Sequence, residues 1–147
     1  MDKLLRIIAE EMDAIGANKL TCNTLGSRRL WEKTERWDTM SAEMFTLHDR
    51  NKLEYCLQPT YEEAVTEIVG SAGLQPRSRF PLFLYQLNEK FRDEANPRLG
   101  LLRSRSFIMN DLYSFDLTEQ DAQITYERVT AAYWQIFDRR LSLRTHR

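Results

Sequence analysis

Histidine and cysteine each occur only twice in these 147 residues, glycine five times and proline four. Two cysteines, Cys22 and Cys56, cannot build a disulfide framework, and neither belongs to a CxxC pair. They read as buried or half-buried thiols of a reducing compartment. His48 and His146 stand far apart, with no acidic or cysteine residue at metal-ligand spacing, so no histidine-built metal centre is expected. The few glycines form neither a P-loop nor a Rossmann pattern. No apolar run approaches the roughly 20 residues of a membrane span. An excess of one charge is also missing, because 21 Lys and Arg face 22 Asp and Glu. A protein that works only by coating nucleic acid usually carries a basic excess, so any RNA contact here is local or comes from parts outside these residues. The first fifteen residues carry Asp2, Glu10, Glu11 and Asp13, unlike an acid-poor transit peptide.

What remains is 42% hydrophobic and 29% charged, the make-up of one folded domain with a real core. Leu4, Leu5, Ile7, Ile8, Met12 and Ile15 predict an amphipathic helix over residues 2 to 15, closed by Gly16. A short strand is expected at 20 to 22, and a short helix with a turn at 28 to 37. Residues 44 to 47 and 53 to 57 predict a hairpin around 48 to 52. Thr60 and Glu63 form a T-x-x-E capping box for a helix ending at Gly70. Residues 83 to 92 alternate with period two and predict a long strand, followed by a loop at 95 to 104 and a second strand at 107 to 115. A last helix starts at 116 to 118, with Ile124, Tyr126, Val129, Ala132, Tyr133, Ile136 and Phe137 as its apolar face. The fold class is α/β in the α+β sense: an antiparallel sheet flanked by helices, with the 82 to 115 hairpin at its centre.

The stretch from Phe91 to Phe107 holds the most chemistry. On a strand Arg92 and Glu94 share a face. An arginine fork grips phosphate at two points, a carboxylate accepts from an amino group, and an aromatic ring such as Phe107 stacks on a base. Arg92, Arg98, Arg103 and Arg105 face only Asp93 and Glu94 there. From the pattern alone an edge hairpin with a solvated basic tip is the plainer reading.

The literal residues favour the other one. Phe91-Arg92-Asp93-Glu94, then Pro97-Arg98-Leu99-Gly100, then the run from Arg103 through Phe107 and Met109-Asn110-Asp111 to Tyr113-Ser114-Phe115, resembles the second signature motif of class II aminoacyl-tRNA synthetases. It is most similar to the prolyl-tRNA synthetases. Leu30-Trp31-Glu32, Arg36-Trp37-Asp38, Leu47-His48-Asp49-Arg50 and Pro59-Thr60-Tyr61-Glu62-Glu63 resemble further stretches of that family, in order, from about Leu4 to Leu141.

The resemblance implies a proline–tRNA ligase that uses ATP, with Mg²⁺, to activate proline and passes it to tRNA(Pro). By the same resemblance Arg92 is the catalytic residue, binding the α-phosphate and orienting the proline carboxylate. Glu94 contacts the adenine amino group, Phe107 stacks on the ring, and Arg103 and Arg105 lie near the phosphates or the tRNA end. Thr60 and Glu62 hold the secondary amine of proline; the residues alone allow plain helix capping there. The bacterial and organellar cast of Tyr55-Cys56-Leu57 and Arg103-Ser104-Arg105 points to mitochondria. The family is homodimeric, yet Asn23 stands where its interface proline is expected, and Asn110 replaces the lysine of the second motif. The third motif and an anticodon-binding domain have no counterpart in residues 1–147. The expectation is therefore a partial catalytic domain, binding ATP weakly and forming no adenylate alone. A synthetase-like module that binds tRNA or a protein partner is the alternative.

Overall fold

The helical period of Leu4, Leu5, Ile7, Ile8 and Met12 is realised in α1 (Asp2–Ala14). Gly16 follows at φ 79°, in the left-handed region where a side chain would be strained. The chain continues through β1 (Asn18–Lys19), β2 (Leu25–Ser27), α2 (Arg28–Glu32), α3 (Arg36–Thr39), β3 (Phe45–His48), β4 (Glu54–Leu57), α4 (Glu62–Ser71), β5 (Leu82–Phe91), β6 (Ser106–Phe115) and α5 (Glu119–Trp134). A π-helical stretch, Gln135–Arg140, prolongs α5. The computed structural model describes residues 1–73, 76–98, 100 and 102–143. Among these, no helix is long and apolar enough to cross a membrane.

Among the described residues the architecture is mixed α/β, with two three-stranded sheets in the orders β1-β5-β6 and β2-β4-β3. In the second sheet both pairings are antiparallel, with Gly26 opposite Cys56 and Leu47 opposite Tyr55. The expected antiparallel sheet has one parallel member: Asn18 and Lys19 of β1 pair with Leu84 and Tyr85 of β5. The chain divides into two compact units, and both long strands contribute to each.

The first unit comprises Met1–Leu20, Leu74–Leu87 and Asn110–Arg147. Met12, Ala17, Phe83, Tyr85, Ala132 and Ile136 form its core. Burying a side chain of the size of Met12 or Ile136 stabilises by about 1.5–3 kcal/mol. The Tyr85 hydroxyl donates to Asp13 Oδ1 at 2.7 Å, so the largest core side chain keeps its polar end satisfied. Thr118 caps α5 by accepting from the Asp121 N–H at 3.1 Å.

The second unit comprises Thr21–Gly73 and Asn88–Met109. Trp31, Trp37, Met44 and Cys56 form its core. Gly26 lets β2 come close to Gln58: a Cβ at position 26 would lie 2.6 Å from Gln58 Oε1 and 3.1 Å from Trp31 Nε1. Trp31 Nε1 uses that proximity to donate to Gln58 Oε1 at 3.2 Å.

Several expected boundaries move. The strand at 20 to 22 lies earlier, at Asn18–Lys19, where backbone pairing with β5 is available. Residues 28 to 37 hold two helix starts rather than one, separated by Glu35 at φ 57°. α4 runs past Gly70 to Ser71, and it is Gly73 that has positive φ. A 3-10 turn, Arg77–Arg79, interrupts the loop expected at 71 to 80. On α5, Ile124 and Tyr126 are exposed, while Thr125 is buried and donates to Asp116 Oδ1 at 2.6 Å. A hydroxyl with a close acceptor there takes the inward position that the apolar count assigned to its neighbours.

Candidate functional site

Every residue the sequence singled out for chemistry lies in the second unit. β5 ends at Phe91 and β6 begins at Ser106. The Arg92 N–H donates to Arg105 O at 2.9 Å, and Arg98 and Arg103 form an antiparallel bridge farther out. These bonds join the two arms of the hairpin beyond the ends of β5 and β6.

The residues at the end of β5 grip the segment that precedes α4. The Phe91 N–H donates to Gln58 O at 3.2 Å. Arg92 Nε and Nη2 each lie 3.4 Å from Pro59 O, the carbonyl just before Thr60. The Arg92 guanidinium carbon stands 5.5 Å from the centre of the Phe107 ring, within cation–π range. Arg92, Phe107 and the Pro59-Thr60 peptide are thus brought together. Thr60 is buried.

Glu62 and Glu63 go elsewhere. Glu62 Oε2 lies 3.5 Å from Arg36 Nη1, and half of the Glu62 side chain is exposed. The same Nη1 donates to Glu63 Oε1 at 2.8 Å, and Thr34 Oγ1 donates to that oxygen at 2.9 Å. The expected capping box does not form: the helix N-cap position is Tyr61, without a side-chain cap. The physical reason is competition. Glu63 is almost fully buried, and a buried carboxylate is stabilised more by a guanidinium than by a backbone N–H.

Glu94 departs from the shared-face expectation as well. The strand stops before Arg92, and the Glu94 N–H turns back to Arg92 O at 2.8 Å. The period of two therefore no longer holds at that point. Glu94 Oε2 accepts from Arg103 Nε at 2.8 Å, and Asp93 Oδ1 from Arg105 Nε at 3.2 Å. Two of the tip arginines are consequently charge-matched, and Arg92 is the guanidinium that faces a ring and a carbonyl instead of an acid.

Lys90 was not singled out by the sequence reading. It is fully buried, with Nζ 4.6 Å from the centre of the buried Tyr61 ring and hydrogen-bonded to Asn88 Oδ1. The alternation that placed Arg92 on one face of β5 also places Asn88 and Lys90 there, and that was the available signal. Arg36, quoted only within Arg36-Trp37-Asp38, was given no role; nothing local marks its pairing with residues 26 and 27 positions later. Cys56 is fully buried, and burial pushes its thiol up to about 11, opposed by a hydrogen bond with the Gly26 backbone.

Such a site can bind an anion at Arg92, a flat ring against Phe107, and a small polar group at Thr60. Residues 45–145 match the class II core domain of tRNA synthetases (G, H, P, S and T). The chain is 49% identical, over 95% of its length, to the probable mitochondrial proline–tRNA ligase of Mus musculus and covers 29% of that protein. It is 46% identical over 95% of its length to the Homo sapiens counterpart, covering 29% of it. It is 47% identical, again over 95%, to the proline–tRNA ligase of Aquifex aeolicus, covering 24% of it. The chain thus spans 24% to 29% of the length of these curated relatives. The fold is similar, at a TM-score of 0.83 and 21% identity, to a Giardia lamblia prolyl-tRNA synthetase solved in complex with prolyl-adenylate; the match covers 92% of this chain and 28% of that one.

Proposed function

The chain belongs to the class II tRNA synthetase core-domain family, and on that premise we propose that it supplies the nucleotide and amino-acid site of a proline–tRNA ligase. The reaction has two steps. A carboxylate oxygen of proline attacks the α-phosphorus of ATP, and pyrophosphate leaves. A terminal ribose hydroxyl of tRNA(Pro) then attacks the carbonyl carbon of the mixed anhydride, and AMP leaves.

The observation that carries this reading is the position of Arg92, with its guanidinium over Phe107 and 3.4 Å from the carbonyl before Thr60. A cation there can neutralise charge as it builds on the α-phosphate, while the ring receives the adenine. Glu94 accepts from the adenine amino group. Arg103 and Arg105, which are both half-exposed or more, serve the phosphates or the tRNA end. Thr60 and Glu62 receive the secondary ammonium. Catalysis is by orientation and charge, so no side-chain nucleophile is required. Mg²⁺ enters as the counter-ion of ATP's phosphates and arrives with the substrate.

Mitochondrial location and a homodimer belong to the same reading. Relatives with mitochondrial names support the first, although bacterial ones match at similar identity. The alternative, a synthetase-like binding module, draws on Asn110: where the motif has lysine, this side chain donates to the Tyr133 hydroxyl at 3.1 Å in the first unit. Proline-dependent ATP–pyrophosphate exchange by the complete gene product separates the two. Exchange that requires proline and is lost in Arg92→Ala supports the ligase; tRNA binding without exchange supports the module.

A further inference from the structure

The same Arg36 guanidinium touches two adjacent carboxylates, one buried and one half-exposed. We propose that Arg36 is the positioning residue for the amine end of the substrate site: it holds Glu62 by one oxygen and leaves the other for a secondary ammonium. This rests on the reading above, in which Glu62 accepts that amine.

Arg36 is itself held from two sides. Its guanidinium carbon lies 5.1 Å from the centre of the Trp31 ring, and Trp31 is fully buried and bonded through Nε1 to Gln58. Its Nη1 donates to Glu63 Oε1, which Thr34 also fixes. A buried carboxylate without a cation is costly, so Glu63 keeps the guanidinium in place. Glu62, by contrast, is an exposed side chain at the first position of α4, with many rotamers open to it. Contact between Arg36 and its Oε2 narrows that choice. Among the described residues Glu62 Oε1 has no protein partner.

The charges also suit the ligand. One guanidinium shared by two carboxylates leaves a single negative charge, which matches one monocation. Lys33, which lines the same side of α4, is paired with Glu67 at 2.8 Å. Proline's nitrogen carries two N–H donors, one of which Glu62 Oε1 accepts.

The test is a titration of the complete gene product with a non-hydrolysable sulfamoyl mimic of prolyl-adenylate and, separately, with AMP. In Arg36→Ala the mimic should bind about tenfold more weakly, while AMP stays within about twofold of wild type. Arg36→Lys should restore part of the loss, because it returns the charge without the fork. Wild-type affinity for the mimic in Arg36→Ala overturns the inference alone. Loss of both ligands in step, in both variants, shows that Arg36 serves the fold and overturns it too. A wild-type protein that binds neither ligand overturns the proline reading and this inference with it.

Discussion

The guanidinium carbon of Arg92, one residue past the end of β5, lies 5.5 Å from the centre of the Phe107 ring on β6. A cation and a ring at this distance attract each other, so the pair is oriented before any nucleotide arrives. Pre-orientation lowers the entropy that binding must otherwise supply. Arg92→Ala should lose one charge-assisted contact to phosphate, roughly 1.5–3 kcal/mol, or one to two decades of ATP affinity. Calorimetric titration with ATP measures this. An unchanged affinity would remove Arg92 from the phosphate site.

Glu94 accepts from Arg103 at 2.8 Å, so in the unliganded chain its carboxylate is already pointed and partly neutralised. If it reads the adenine amino group, Glu94→Ala should narrow the preference for ATP over GTP by about tenfold or more. Competition binding with the two nucleotides checks it. The same variant should change stability by less than about 1 kcal/mol, since Arg103 is largely exposed. A selectivity that does not move would assign Glu94 to the hairpin tip alone.

At Gly26 the space for a side chain is already occupied, since a Cβ would meet Gln58 Oε1 at 2.6 Å and Gln58 Cδ at 2.7 Å. Gly26→Ala should therefore push Gln58 away, break its bond to Trp31 and disturb the Pro59-Thr60 peptide that follows. Overpacking of this kind costs about 1–3 kcal/mol. Urea denaturation gives the number, and a midpoint equal to wild type would show that Gln58 moves aside freely.

Burial raises the Cys56 thiol from an ordinary value of 9.0 to about 11. The unfolded chain then releases this proton before the folded chain does. Stability from this group is complete below pH 9 and is lost as pH rises towards 11. Two pKa units correspond to about 3 kcal/mol. Tyr85 and Tyr133 are shifted upwards by burial as well and add alkaline sensitivity. The thiol's share is thus the difference in slope between wild type and Cys56→Ala in urea midpoints across that range. Parallel slopes would rule the thiol out as a source.

Elements whose signal is local were legible from sequence. The period of two placed the long strands within a residue of Leu82–Phe91 and Ser106–Phe115, and Gly16 marked the end of α1. What sequence spacing missed depends on partners far along the chain. Thr60-x-x-Glu63 has the spacing of a capping box, yet Glu63 is taken by Arg36 and Thr34, 27 and 29 residues earlier. Arg92 and Glu94 have the spacing of one strand face, yet the strand ends first. At the site, Arg92 lies over Phe107 and against the Pro59 carbonyl, whereas Glu62 turns to Arg36 and Glu94 to Arg103.

Lys90 has an outcome outside binding and catalysis. Lys3, Lys19, Lys33 and Lys52 are exposed, while Lys90 is sealed beneath Tyr61. An amine-acylating reagent will therefore find four lysines at once and the fifth only when the second unit opens. The mass-spectrometric time course of acylation at Lys90 is a clock for that opening, and trypsin, which needs the same side chain, will cut after residue 90 on the same schedule.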